Sequence, residues 1–263
     1  MICVFALLLL VSYFNWRNPR YNDYTMHPLF SQTREVILDI LFPPICLTCG
    51  TRLPTQEKNN HICVSCLAAI AINTTLTCPL CGARMAEQKK TCHKDVPYRL
   101  AAATRYDDER VRRLIWELKY QKKTVASKPL ASIATAHLAS LPLNLSQFVI
   151  VPIPLHPSRE RERGFNQSKL IAEIVASKFG LPIAVSALER NKHTKPQAET
   201  KDINARRENL AGAFAIKDAA AIAKKNILLV DDVFTSGATI GEAVKTLKSA
   251  GAQHIIALVV AKA

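Results

Sequence analysis

Residues Ile227 to Thr239 read ILLVDDVFTSGAT. The first four, Ile227 to Val230, form an unbroken apolar run, the pattern of a short strand covered on both faces. Two adjacent carboxylates, Asp231 and Asp232, follow. Thr235, Ser236, Gly237, Ala238 and Thr239 then make a small, hydroxyl-rich loop. Ile240, Ala243, Val244 and Leu247 recur at the three- and four-residue spacing of a helix. Each part has a use. The loop and the helix N-terminus behind it offer N–H groups and hydroxyls suited to a phosphate. Gly237 lets the backbone turn tightly and approach a ligand. Carboxylates at the carboxyl end of a strand, where open α/β sheets bind ligands, can accept hydrogen bonds from a sugar diol.

An Asp pair after an apolar strand is common, and Thr or Ser before a helix is often only an N-cap. The whole string is more specific. It resembles the phosphoribosyl pyrophosphate signature of type I phosphoribosyltransferases: an aliphatic run, Asp-Asp, two apolar residues, then Thr-Ser-Gly-x-Thr. Phe234 departs from the pattern by standing at an aliphatic position. That changes what packs under the loop and removes no ligand group. The resemblance implies that Asp231, Asp232, Thr235, Ser236, Gly237, Ala238 and Thr239 hold phosphoribosyl pyrophosphate together with magnesium.

At 263 residues the chain can bury one good core and carry a small second module. Its hydrophobic content of 49% excludes general disorder, and a net charge of +14 points to anionic partners. Residues 1–25 stand apart. Ile2 to Val11 is apolar but too short to span a bilayer comfortably, with no basic residue before it and no clear cleavage site after it. We expect a non-native or flexible extension here, with Met26 as the start; a signal anchor is the competing reading. No membrane span is expected. Val36 to Phe42 reads as a short amphipathic helix stopped by Pro43 and Pro44.

Seven of the eight cysteines fall between residues 46 and 92. Cys46 and Cys49, Cys63 and Cys66, and Cys78 and Cys81 are three CxxC pairs, followed by Cys92. Two thiolates two residues apart grip one metal from one turn, and two such pairs complete a tetrahedral zinc site. A disulfide framework is the alternative, and the repeated spacing argues against it. The first site takes Cys46, Cys49, Cys63 and Cys66. The second has three sulfurs, with His93 or Asp95 as its fourth ligand, or is weak. Neither keeps an open position for chemistry, so both zinc ions read as structural, stapling a module over residues 36–96.

The remaining chain, 98–263, runs through strand and helix patterns in turn, in keeping with the α/β parallel-sheet fold that the phosphoribosyltransferase resemblance implies. Residues 98–104 read as an edge strand, and Val111, Leu114, Ile115 and Leu118 as an apolar helix face. Lys119, Lys122 and Lys123 close that helix; macrodipole stabilisation accounts for the last two, less clearly for Lys119. Leu130–Leu141 is a second helix, Phe148–Val151 a strand. Then comes SRERERGFNQS, residues 158–168. It reads as a solvated charged loop or as a pyrophosphate cradle, since guanidinium forks suit phosphate oxygens and Asn166 and Gln167 add amide donors. Ile183–Leu188 and Ala213–Ile216 are further strands. Between them Glu189–Asn209 is long, polar and basic, a mobile loop by its length. Gly251 caps the helix that follows the opening stretch, and Ile255–Val260 is the last strand.

These pieces together resemble the ComF family from about residue 36 to 263. The marks are the cysteine ribbon, LKY at 118–120, VPIPLH with RERGFNQS, Arg190-x-x-x-Thr-x-x-Gln197, RENLAGAF at 207–214, and VDDVFTSGAT. The resemblance implies a type I phosphoribosyltransferase domain behind a double zinc ribbon. It also implies a cytoplasmic role in natural transformation, with incoming single-stranded DNA and a helicase-like partner. As an enzyme, the chain would use Asp231 and Asp232 on the ribose and Arg161 and Arg163 on the leaving pyrophosphate; no general base or acceptor is evident. The alternative is a non-catalytic module that senses a nucleotide or binds single-stranded DNA. With 6% aromatic residues, such binding is mostly electrostatic.

Overall fold

The computed structural model describes residues 39, 43–85, 92–192 and 211–263. The start at Met26, the helix at 36–42 apart from Asp39, and the 193–209 part of the basic segment lie outside the described residues. By compactness the chain divides into Met1–Pro43 and Pro44–Ala263. The second unit therefore contains the CxxC segments and the strand–helix alternation alike.

Its first part holds a helix, α1 (Val64–Ala68), and a short hairpin, β1 (Leu76–Thr77) and β2 (Arg84–Met85). Then come β3 (Arg99–Arg105), α2 (Glu109–Lys119), α3 (Ser127–Ser140), β4 (Phe148–Pro152), α4 (Pro157–Arg163) and α5 (Gln167–Phe179). The chain closes with β5 (Leu188–Arg190), β6 (Phe214–Ile216), β7 (Asn226–Phe234), α6 (Ala238–Ser249) and β8 (Ile255–Lys262). One sheet runs β2-β1-β3-β8-β7-β4, and β5 pairs with β6 in a separate antiparallel ribbon. β3, β8, β7 and β4 are mutually parallel; β1 lies antiparallel to β3.

β7 sits between β8 and β4, and Ile227 to Val230 are fully buried, as an apolar run with helices on both faces must be. Successive residues face opposite sides. Leu228 and Val230 join a core with α2, α3 and α5, including Leu114, Leu118, Ile133 and Ile171. Ile227 and Leu229 join a second core with α6, including Ile240, Val244 and Leu247. Each such buried side chain contributes about 1.5–3 kcal/mol.

Three expectations change. Residues 98–104 do not form the sheet's edge: the β1–β2 hairpin extends the sheet beyond β3, whose Leu100 registers with Thr77. The 183–188 strand shrinks to a single bridge, Ile150 to Ile183, and the paired segment begins at Leu188. The charged run after Pro157 is helix α4 rather than a loop. Proline opens it at the first turn, and the His156 ring accepts a hydrogen bond from the Ser158 N–H at 3.2 Å. Gly164, at φ 88°, ends it.

Candidate functional site

The acid pair lies inside β7 near its carboxyl end, where Asp231 is still in register with Val259. Both side chains are buried, Asp231 at 8% and Asp232 at 3% exposure. Two carboxylates out of water need donors, and each finds them in distant elements. Ser168 Oγ donates to Asp231 Oδ1 at 2.7 Å, and the Asp232 N–H donates to the same oxygen at 2.9 Å. Lys119 Nζ, at the end of α2, pairs with Asp232 Oδ2 at 2.5 Å.

Burial, then the neighbouring Asp232 charge, push the Asp231 carboxyl up to about 7, against the pull of Ser168 and Lys119. Burial alone would lower the Lys119 ammonium. The charge and hydrogen bond of Asp232, with Asp231 behind it, outweigh that and raise it. Perturbed groups of this kind concentrate at functional sites.

Two arginines complete the surroundings. Arg190, on β5, is buried and its pKa is lowered by burial and then by the charge of Arg159; the Asp231 carboxylate acts in the opposite direction. Its guanidinium lies 5.6 Å from the Phe214 ring centroid. Arg163, on α4, donates to Gln167 Oε1 at 2.5 Å, and its charge presses on Lys119. Arg161 is exposed on the same helix.

Local sequence explains how Ser168 reaches the acid. Asn166 is the N-cap of α5, its Oδ1 accepting from the Ser168 N–H at 2.9 Å, while its Nδ2 donates to the Ile153 carbonyl at 3.0 Å. The Asn166 amide thus braces α5 and the Ile153 carbonyl, and the Gln167 oxygen holds Arg163.

Beyond β7, Ser236 and Gly237 turn the chain into α6. Gly237 has φ 73°, and a Cβ there would lie 2.6 Å from Phe234 Cζ, so only glycine fits. Phe234 is the floor of the loop, with Lys262 Nζ 5.9 Å from its ring centroid. α6 begins at Gly237, which has no side chain to cap it; Ser236 Oγ accepts from the Ala238 N–H at 3.5 Å, and the helix N-terminus stands directly behind the loop.

Sequence reasoning gave Ser168 no role of its own, placed Arg159 only within the charged run read as a cradle, and left Lys119 and Arg190 without a place in the site. Ser168 stands third in an Asn-led helix start, while Lys119 and Arg190 entered only within the LKY and Arg190-x-x-x-Thr strings that mark the family resemblance.

The cysteines form two clusters. Cys46, Cys49, Cys63 and Cys66 bring their sulfurs within 4.8 Å of one another, and so do Cys78, Cys81, Cys92 and His93 with their ligand atoms. Zinc–sulfur bonds of about 2.3 Å in a tetrahedron separate sulfurs by about 3.8 Å. Cys49 and Cys63 Sγ are 3.8 Å apart, as are Cys81 and Cys92 Sγ. The donor sets fit structural zinc, and all seven cysteines are free of disulfides. Of the two candidates for the fourth corner, His93 and Asp95, it is His93 whose Nδ1 lies beside the cluster, 3.4 Å from Cys78 Sγ. Burial works against a Cys46 thiolate, yet the N–H groups of Cys49, Cys63 and Thr48 and the Thr48 hydroxyl pull it down to about 6. Gly50 and Gly82, at φ 76° and 71°, make the turns behind each first pair.

Comparison with known proteins agrees with both parts. The phosphoribosyl transferase domain family matches residues 166–263, and the double zinc ribbon domain family matches residues 37–95. DNA utilization protein YhgH of Salmonella typhimurium is 28% identical over 81% of this chain and 94% of its own length. Competence protein ComFC of Bacillus subtilis is 29% identical over 79% and 90%. These names and both domains bear out the ComF resemblance. Competence protein F of Haemophilus influenzae is 34% identical over 40% of this chain; the match spans 46% of that protein. A solved glutamine phosphoribosylpyrophosphate amidotransferase from B. subtilis overlays 50% of the chain and 25% of its own, at 18% identity and a TM-score of 0.34. Among the described residues, no helix is long and apolar enough to cross a membrane.

Proposed function

We propose that this ComF-like chain binds phosphoribosyl pyrophosphate at the carboxyl end of β7 and serves DNA uptake, as the names of its competence relatives suggest. The observation that carries the ligand is the buried Asp231–Asp232 pair followed within one strand end by the Gly237 turn and the N-terminus of α6. Carboxylates accept from a ribose diol, and the loop N–H groups and the hydroxyls of Thr235, Ser236 and Thr239 suit the 5′-phosphate. The cations around the pair, Lys119, Arg163 and Arg190, suit a pyrophosphate, and Arg161 stands exposed on the same helix as Arg163. Hard carboxylate oxygens also fit magnesium, which neutralises diphosphate charge when bound with the ligand. If chemistry occurs, these groups orient the ribose and stabilise charge on the departing pyrophosphate. Among the described residues none is evident as a general base for an acceptor.

Calorimetry with phosphoribosyl pyrophosphate and magnesium tests this. Replacing Asp231 and Asp232 by Asn is expected to weaken binding by about tenfold or more, the scale of a lost charged hydrogen bond. Unchanged affinity overturns it.

The net charge of +14 supports a second reading, a single-stranded-DNA or nucleotide-sensing module. Pyrophosphate release with candidate bases favours the enzyme. Salt-sensitive DNA binding without turnover favours the module.

A further inference from the structure

We propose that Lys119 is the built-in counter-cation of the acid pair: it holds Asp232 so that the ligand-free site does not capture a divalent cation, and a metal enters only in company with its anionic ligand. This rests on the phosphoribosyl reading of the site. Lys119 is the last residue of α2, and its ammonium pairs with Asp232 Oδ2 at 2.5 Å, with side chains 21% and 5% exposed. An exposed lysine pair is worth little, because the long side chain is free to leave. This one is not free in that way.

The residues after Lys119 tie the end of α2 down. Tyr120 closes the helix through its N–H to the Trp116 carbonyl at 2.9 Å. Lys122, held at φ 54°, donates to the Glu162 carbonyl of α4 at 2.7 Å. Lys123 pairs with Glu117 Oε2 at 2.8 Å, and its N–H donates to the Glu117 carbonyl at 3.0 Å. The ammonium is thus delivered by a braced helix end.

Charge balance sets the consequence. Two bare buried carboxylates side by side would be a good seat for a hard divalent ion, which takes oxygen ligands. Here one oxygen is covered by the ammonium, and Asp231 Oδ1 already accepts from Ser168 and the Asp232 N–H. Arg163 and Arg190 add positive charge near Lys119 and Asp231 respectively. Such a site repels a lone metal ion and attracts a polyanion. When a diphosphate brings both negative charge and its own metal, Lys119 can shift toward the phosphate oxygens and free Asp232. Lys119 is then a positioning residue that couples metal entry to ligand entry.

The test uses the full chain, with manganese as a paramagnetic probe titrated alone at neutral pH and followed by electron paramagnetic resonance. Lys119→Met is expected to bind manganese about tenfold or more tightly than the parent, and Lys119→Arg to behave as the parent. The double variant Lys119→Met with Asp232→Asn is expected to lose the gain. Comparison with the parent cancels any manganese held elsewhere. A merely structural lysine would not create a metal site on removal. Lys119→Gln, which keeps a hydrogen-bond donor without charge, serves if Lys119→Met does not fold. Manganese binding within about twofold of the parent in the charge-free variant overturns the proposal. A parent that binds no phosphoribosyl pyrophosphate in calorimetry overturns the phosphoribosyl reading instead, while the manganese comparison still decides whether Lys119 shields the pair.

Discussion

At the scale of single residues, Gly237 and Asp231 show how little room the site leaves. A Cβ at 237 meets Phe234 Cζ at 2.6 Å, and φ 73° is unfavourable for any L side chain. Gly237→Ala is expected to cost about 2 kcal/mol, from left-handed strain of ~1–2 kcal/mol plus displacement of the ring. Thermal denaturation checks this. Adding Phe234→Leu should recover the clash but not the strain; full recovery would show that φ was never the constraint. Asp231 carries a different burden. Its carboxyl is raised to about 7 by burial and by Asp232, so the stability it allows is whole below the unfolded value near 4 and is lost as pH rises toward 7. Asp231→Asn escapes that loss. The ligand-free variant should gain on the parent progressively between pH 4 and 7, by roughly 1–4 kcal/mol at the plateau. A difference independent of pH in chemical denaturation would refute this.

At the scale of elements, the ribbon has little regular structure of its own. α1 has five residues and β1 and β2 have two each, so metal binding adds folding free energy to what Leu53, Ile62, Ile70 and Leu76 gain by burial in the main core. The second site makes the sharper prediction. His93 Nδ1 lies 3.4 Å from Cys78 Sγ, whereas the exposed Asp95 belongs to no metal-ligand cluster among the described residues. His93→Ala should lower zinc by about one ion per chain in elemental analysis, and Asp95→Ala should leave it unchanged. The reverse result would return the fourth corner to the carboxylate.

At the scale of the whole molecule, the cysteine-rich part and the sheet are joined by the segment before β1. Asn73 donates through its N–H to the Ala103 carbonyl at 2.8 Å and through Nδ2 to the Ala102 carbonyl at 2.7 Å. Its own carbonyl lies 2.6 Å from Nδ1 of His137 on α3. His137 is completely buried, and its Nε2 meets no hydrogen-bond partner among the described residues. Burial lowers its pKa, with the Asn73 carbonyl opposing. The unfolded chain takes up a proton near pH 6.5 that the folded one resists, so stability falls as pH drops below that value. His137→Gln, weaker than the parent at pH 7.5, should lose about 1 kcal/mol less on going to pH 5.5. Equal losses in denaturation curves would show that His137 does not set the acid limit.

Some of this was legible because it is local. A strand, an acid pair, a glycine turn and a helix follow one another without a gap, and period and spacing alone place them. The CxxC pairs are local in the same way, since two sulfurs on one turn are half a metal site before anything folds. Ile227–Val230 behaved as their apolarity required, and Gly237 and Gly251 sit at positive φ as turn residues should. What sequence could not supply is what arrives from elsewhere in the chain. Lys119 and Ser168 meet the acid pair from two separate elements, Arg190 lends charge from a third, and the pairing of His93 rather than Asp95 with the sulfurs depends on how the second cluster closes. β3 is interior only because a two-residue strand from the ribbon side pairs with it. Periodicity records which face of an element is buried and says nothing of which distant polar group that face will meet. A buried carboxylate demands partners, and only the path of the helices across the sheet decided that one of them is a lysine.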